Sequence, residues 1–178
     1  MERVTLKDKS FVPYITSDKI LGSVKQVAQK INAELAGENP LFLVVLNGSF
    51  MFAADLLKEV TIPCEISFIK LASYHGTSST GVVTEMIGLT EEVKGRTVVV
   101  VEDIVDTGVT IEKLYSLLTK KEVKQIKIAT FLLKPDAYKK EVKIDYVGMS
   151  IPNDFVVGYG LDYDGLGRNM KEIFVLDK

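Results

Sequence analysis

Three carboxylates fall within five residues of "VVVVEDIVDTGVT" (Val98–Thr110), at Glu102, Asp103 and Asp106, and Thr107, Gly108, Val109 and Thr110 follow directly. Acids this close repel one another, and such repulsion persists where a metal or polar ligand offsets it. The residues behind them have the opposite preference. Gly108 permits positive φ or close approach of an anion, the two threonines add hydroxyl donors, and the start of a helix offers unpaired N–H groups. The front of the segment therefore suits a cation or a sugar diol, and the back suits a phosphate. A ligand with ribose hydroxyls, a metal ion and a terminal phosphate would satisfy both. The competing reading is a plain strand–turn–helix with solvated acids and Asp106 as a turn residue.

Other chemistries fail on named residues. "GTSSTGVV" (Gly76–Val83) has the glycine spacing of a P-loop, but Val82 and Val83 stand where Lys and Ser/Thr are required. "GYGLDY" (Gly158–Tyr163) opens like a dinucleotide fingerprint yet has Tyr163 at the third glycine position. "DYDGLG" (Asp162–Gly167) starts like a calcium loop whose terminal glutamate would be Ile173. "DIVDT" places its second acid one residue late for an aspartyl-phosphate enzyme. His75, the single histidine, sits in a small polar stretch and reads as a loop passenger. Cys64, the single cysteine, reads as a buried structural thiol rather than a nucleophile.

Positioning such a site requires buried strands that end together. "LFLVVL" (Leu41–Leu46), Val98–Val101 and "QIKIATFLLK" (Gln125–Lys134) are apolar runs without strict alternation, as expected of parallel strands covered on both faces. Between them lie helical patterns. One opens at Thr16–Asp18, carries Ile20, Val24, Val27, Ala28, Ile31 and Leu35, and closes at Gly37; others are "SFMFAADLLKEV" and "VTIEKLYSLLTKK", the latter with Ile111, Leu114, Leu117 and Leu118 on one stripe. "CEISFIKLASY" reads as a further strand, "HGTSSTG" (His75–Gly81) as a mobile loop, and "VVTEMIG", "FVVGYG" and "EIFVL" as extended segments. This alternation implies an α/β fold: an open, mostly parallel twisted sheet flanked by helices, with a small hood built from the N-terminal and C-terminal segments. Ligands of such sheets sit beyond the carboxyl ends of the strands, where Glu102, Asp103 and Asp106 fall.

The bulk properties narrow the class. With 178 residues, 47% hydrophobic and 26% charged, the chain reads as one ordinary globular domain over residues 1–178. A formal charge of −2 leaves no basic footprint for nucleic acid or an anionic membrane. No apolar run approaches the ~18 residues of a spanning helix, and the first residues lack a signal-peptide core. A lone cysteine fits a reducing compartment, so a soluble cytoplasmic protein is expected.

With these residues in view, "VVVVEDIVDTGVT" closely resembles the phosphoribosyl-pyrophosphate signature of the type I phosphoribosyltransferases, and its details resemble the hypoxanthine (hypoxanthine-guanine) branch. "VLNGSFMFAADL", "ASYHGTSSTG", "FLLK" and "FVVGYGLDYDGLGR" support it in the family's order, from Val45 to Arg168. The resemblance implies that fold and a purine-salvage reaction: N9 of a 6-oxopurine attacks C1 of phosphoribosyl pyrophosphate, giving a nucleoside monophosphate and pyrophosphate. It implies Mg²⁺, two ions during turnover, and assembly as a homodimer or homotetramer. A regulator that senses phosphoribosyl pyrophosphate while binding nucleic acid, or a transferase for another base, are the alternatives; the first lacks a basic face, and xanthine is not separated from hypoxanthine and guanine.

Roles follow from that resemblance. Asp106 would sit near purine N7 as general base or electrostatic partner. Glu102 and Asp103 would hold the ribose hydroxyls directly or through Mg²⁺, and the Asp106–Thr110 main chain, with the hydroxyls of Thr107 and Thr110, would grip the 5′-phosphate. Lys134, donor-only, would select a 6-oxo over a 6-amino group. Phe155 would stack on the base and the Val156 main chain would read its edge. Asp162, grouped with the purine-binding residues, resembles the ligand of a second Mg²⁺, and Arg168 resembles the guanidinium that binds pyrophosphate. Asn47-Gly48 stands where many members have Lys-Gly; the main-chain role survives the change, so a cis Leu46–Asn47 peptide is expected. Ser73 and Tyr74 match the family's flexible loop, which would close over a water-sensitive transition state.

Overall fold

Apolar and amphipathic stretches alternate along the chain because strands and helices do. In chain order the elements are β1 (Val4–Leu6), β2 (Lys9–Ile15), α1 (Ser17–Glu34), β3 (Leu41–Val45), α2 (Phe50–Glu59), β4 (Glu65–Ala72), β5 (Thr84–Ile87), β6 (Thr97–Val105), α3 (Val109–Lys120), β7 (Gln125–Leu133), β8 (Tyr146–Ser150), β9 (Val156–Val157) and β10 (Ile173–Leu176). This computed structural model describes residues 2–72, 84–89 and 91–177, with the main chain alone at Ala72 and residues 84–87. The stretch expected as a loop, His75–Gly81, lies outside the described residues.

A six-stranded sheet has the order β5-β4-β3-β6-β7-β8. Every pairing from β4 to β8 is parallel, and β5 alone runs antiparallel. The absence of alternation in β3 and β6 has a direct cause. Phe42, Val44, Val99 and Val101 enter the core shared with α1 and α2, while Leu41, Leu43, Val98 and Val100 enter the core shared with α3. Both faces are buried, so every position is apolar.

The helices form for local reasons as well. The Thr16 hydroxyl accepts the Lys19 N–H at 3.4 Å as N-cap of α1, whose buried stripe includes Ile20, Val24, Val27 and Ile31. In α3 the buried stripe is Ile111, Leu114 and Leu118. Leu117, expected on it, is only partly buried at its margin.

The expected hood is present. It is a four-stranded sheet in the order β1-β2-β10-β9, from both ends of the chain, around Phe11, Val157 and Phe174. Cys64 is partly rather than fully buried against the core, and burial raises its thiol above the ordinary value.

The carboxyl ends of β3, β6 and β7 finish side by side. Main-chain register pairs Val44 with Val101 and Glu102 with Thr130. Three chain-distant segments therefore meet at one edge: Asn47-Gly48 after β3, Glu102–Thr110 from β6 into α3, and Lys134 after β7.

Candidate active site at the β6–α3 junction

The period of two in a strand separates the two adjacent acids. Glu102 lies on the α3 side and lines a cavity of about 110 Å³ together with Asp106, Thr107, Gly108, Val109 and Thr110. Asp103 rests against the turn at Gly48, with its carboxyl still close enough to Glu102 to raise it. Gly108 is the N-cap of α3 with φ +81°, and no side chain caps the helix. The first-turn N–H groups of α3 thus reach the cavity wall without a side-chain acceptor, the arrangement that binds anions. A side chain at position 108 would overlap the Tyr138 ring, so glycine is required there by both conformation and space.

The acid pair is strongly perturbed. Burial, then the neighbouring Asp103 carboxyl, pushes Glu102 well above the usual carboxylate range. Burial raises Asp103 too, against the N–H of Ile104, which donates to its Oδ1 at 2.8 Å. Glu102 is 9% exposed, and its Oε2 is buried without a hydrogen-bond partner. A buried carboxylate oxygen lacking a donor, beside a second hard oxygen donor, fits a divalent cation of the Mg²⁺ type. Among the described residues no three His, Cys, Asp or Glu side chains form a metal-holding group. Ligand and water oxygens would have to complete the shell, as is usual for Mg²⁺.

The turn after β3 holds the Leu46–Asn47 peptide in cis, as expected. A Cβ on Gly48 would overlap the Asp103 carboxylate, and one on Gly160 would overlap the Gly48 carbonyl oxygen. Three residues remote in sequence are therefore stacked, the Gly160 main chain on the Gly48 main chain and that on the Asp103 side chain. The segment after β9 supplies the remaining charges. Arg168 binds Asp162 Oδ1 at 2.7 Å and donates through its other terminal nitrogen to the Gly160 carbonyl at 2.7 Å. The second Asp162 oxygen accepts the Gly165 N–H at 2.7 Å.

Lys134 follows β7 directly, and its N–H donates to the Val105 carbonyl at 2.9 Å. That places its Nζ 2.9 Å from Asp106 Oδ2. In the hood, Phe155 is 43% exposed, too open for strand core, with Phe11 at 6.2 Å and Tyr163 edge-on at 6.0 Å. The Leu176 N–H donates to the Phe155 carbonyl, so register makes Phe155 and Val157 the hydrogen-bonded partners of β10. Between them, the N–H and C=O of Val156 point away from β10, toward the open edge of the sheet.

A family model described as "Phosphoribosyl transferase domain" matches residues 15–164. The chain belongs to that family. Among curated phosphoribosyltransferases, the hypoxanthine-guanine phosphoribosyltransferase of Streptococcus pneumoniae strain R6 is 40% identical over 163 residues, 91% of each chain. That of Mycobacterium bovis is 37% identical over 98% of this chain and 96% of its own. A crystal structure of a Staphylococcus aureus hypoxanthine phosphoribosyltransferase superposes with a TM-score of 0.87 at 35% identity, covering 93% of this chain and 91% of that one.

In this phosphoribosyltransferase the residues expected from sequence fall into three groups. Glu102 and Asp106–Thr110 share one cavity, with Lys134 on Asp106. Asn47, Gly48, Asp103, Asp162 and Arg168 are linked through Gly160. Phe155 and Val156 belong to the hood, and Ser73 and Tyr74 lie outside the described residues. Asp162, expected as a metal ligand, has both oxygens engaged by Arg168 and Gly165. Sequence reasoning missed Tyr138 over Gly108 and Gly160 on Gly48. For the latter a signal existed: glycines at 158 and 160, each with φ +97°, flank Tyr159.

Proposed function

We propose that this phosphoribosyltransferase transfers the 5-phosphoribosyl group from phosphoribosyl pyrophosphate to N9 of hypoxanthine, and of guanine, giving IMP or GMP and pyrophosphate. The observation that carries the reading is the meeting of Lys134 with Asp106, which itself lines the cavity at the start of α3. One is a fixed donor for a 6-oxo group, and the other an acceptor for a ring proton.

The chemistry follows from those positions. The Val109 and Thr110 main chain and the Thr107 and Thr110 hydroxyls hold the 5′-phosphate, while Glu102 and Asp103 face the ribose diol. Lys134 donates to the exocyclic oxygen, Phe155 covers the ring face and Val156 pairs with its edge. Asp106 accepts the N7 proton as N9 forms its bond to C1 and the C1–oxygen bond to pyrophosphate breaks. Gly48 N–H and Arg168 receive the departing charge. Mg²⁺, held by Glu102 and Asp103, would neutralise phosphate charge and make pyrophosphate a better leaving group; a second ion at Asp162 would require that carboxylate to leave Arg168 or Gly165 first.

A homodimer or homotetramer in the cytoplasm belongs to the same reading. Ile66 and Phe68, each 47% exposed and in register with buried Phe42 and Val44, supply apolar surface that an assembly would cover. No helix among the described residues is long and apolar enough to cross a membrane.

The test is a spectrophotometric assay with phosphoribosyl pyrophosphate, Mg²⁺ and each of hypoxanthine, guanine, xanthine and adenine. Turnover of the first two supports the reading, and turnover of adenine alone overturns it.

A further inference from the structure

Tyr159 adopts φ +50°, a conformation that an L-residue with a large side chain enters only when held there. Several contacts hold it. Its N–H donates to the Met170 carbonyl at 2.7 Å, and its ring packs edge-on against Phe131 at 5.0 Å, which in turn packs on Phe52 of α2 at 5.5 Å. Its hydroxyl donates to Asp55 Oδ2 at 2.8 Å. Tyr159 is 3% exposed, and burial together with Asp55 pushes the phenol far above its ordinary value, so it remains a donor throughout the neutral range. Asp55 lies on α2, the helix that starts immediately after the Asn47-Gly48 turn, and its other oxygen is bound by Lys58 at 2.6 Å.

The neighbouring residue shows what this attachment controls. Gly160 rests against the Gly48 carbonyl, receives the Arg168 guanidinium on its own carbonyl at 2.7 Å, and donates its N–H to the Arg168 carbonyl at 2.9 Å. The short Gly158–Gly160 turn is thus fastened to the β3–α2 segment at two points, Gly48 before the helix and Asp55 within it. Gly48 abuts Asp103, and Arg168 abuts Asp162, so one turn sets the spacing of the groups that face pyrophosphate.

We propose that Asp55 and Tyr159 are a positioning pair for the pyrophosphate half of the site: their hydrogen bond locks the Gly158–Gly160 turn onto α2 and so fixes Arg168 and Asp162 relative to Gly48 and Asp103. Neither touches substrate. This rests on the proposed transferase activity, but it assigns a function to two residues outside the expected site and separates the site into halves. Lys134 and Asp106, at the end of β7 and in the β6–α3 loop, make no hydrogen bond to this buckle, so the purine contacts they provide should depend on it less.

The experiment compares wild type, Tyr159→Phe, Asp55→Leu and Asp55→Asn, in the forward direction and in the reverse direction with IMP and pyrophosphate. Wild-type turnover of hypoxanthine establishes the underlying activity; its absence would sink that reading and leave the buckle to be judged by phosphoribosyl-pyrophosphate binding in the same four proteins. Tyr159→Phe and Asp55→Leu should raise KM (or Kd) for phosphoribosyl pyrophosphate and for pyrophosphate by about five- to twentyfold, the reach of one buried hydrogen bond to a carboxylate. KM for hypoxanthine at saturating co-substrate should change less than about twofold. Asp55→Asn, which keeps an acceptor for the phenol, should restore values close to wild type. A lowered Tm with all KM values unchanged, equal rises in both substrates' KM, or failure of Asp55→Asn to rescue overturns the proposal.

Discussion

Lys134 Nζ lies 2.9 Å from Asp106 Oδ2, so the group proposed to meet a 6-oxo oxygen is paired with the group proposed to take the ring proton. The Lys134 side chain is 11% exposed and that of Asp106 48%, which makes the pair a hinge between the buried sheet end and the open loop. A base entering the site would replace one internal hydrogen bond with two external ones, its carbonyl on Lys134 and its N–H on Asp106. That exchange would link recognition of the oxo group to placement of the proposed proton acceptor.

Asp106→Asn should separate chemistry from stability. The amide oxygen can still accept from Lys134, and a half-exposed pair of this kind is worth about 1 kcal/mol or less, so Tm should stay near wild type. Turnover should fall by about 10²- to 10⁴-fold, the usual contribution of a positioned acid–base group. Steady-state rates alongside thermal melts check both; wild-type turnover would remove Asp106 from the mechanism.

Lys134→Ala should act on selection more than on rate. Loss of a donor to a buried oxygen leaves the base carbonyl unpaired, lowering kcat/KM for hypoxanthine by about 10- to 100-fold while leaving adenine, which offers no oxygen there, unaffected. The ratio of the two kcat/KM values is the readout, and an unchanged ratio would refute the role.

Glu102→Gln should stabilise the protein while weakening substrate binding. Burial and Asp103 hold the Glu102 carboxyl above its ordinary value of 4.5. Between that value and the raised one, the folded protein binds more protons than the unfolded chain, so stability falls as pH rises through the interval. Glutamine has no proton to lose. The variant's Tm should match wild type below about pH 4.5 and exceed it increasingly toward neutrality, at about 2–4 °C per kcal/mol for a chain of this size. Its KM for phosphoribosyl pyrophosphate should rise, because the acid disfavoured in the free protein is the one a cation requires. Melts from pH 4 to 8 give the sign directly.

Much of this was legible in the chain. Parallel strands declare themselves by continuous apolar runs, and three carboxylates at the end of one of them point to the edge proposed to hold the ligand. β2 and β8 were not legible. Pro13 interrupts the first, tolerated because register slips between Ile173 and Phe174 opposite it. Gly148 reads as a breaker in the second; in the fold it lets the strand pass under α1, with a Cβ there falling 2.6 Å from the Phe131 carbonyl and 3.1 Å from Ser23 Oγ. The stacking of Gly160, Gly48 and Asp103 escaped for a related reason: a missing side chain names no partner, and the three are separated by more than fifty residues at each step. The Asp55–Tyr159 bond was invisible because each residue has an adequate local explanation, one as the polar face of a helix and the other as the middle of a glycine turn.

Two glycine-to-alanine substitutions should have opposite outcomes for reasons fixed by their surroundings. Gly22 is in the interior of α1 with nothing within 4 Å of a Cβ placed there. Alanine removes backbone freedom from the unfolded chain at no steric cost, so Gly22→Ala should stabilise by about 0.5–1 kcal/mol and leave kinetics unchanged. At Gly48 the same methyl group would overlap the Asp103 carboxylate. Either Asp103 rotates out or the turn withdraws, and a displacement of about 1 Å at a reacting centre can cost about a hundredfold in rate. Gly48→Ala should therefore keep a cooperative melt while kcat/KM for phosphoribosyl pyrophosphate falls by about two orders of magnitude. Measuring Tm and kcat/KM for both variants side by side decides it: a Gly48→Ala enzyme as active as Gly22→Ala would show that the Gly48–Asp103 contact does not shape the site.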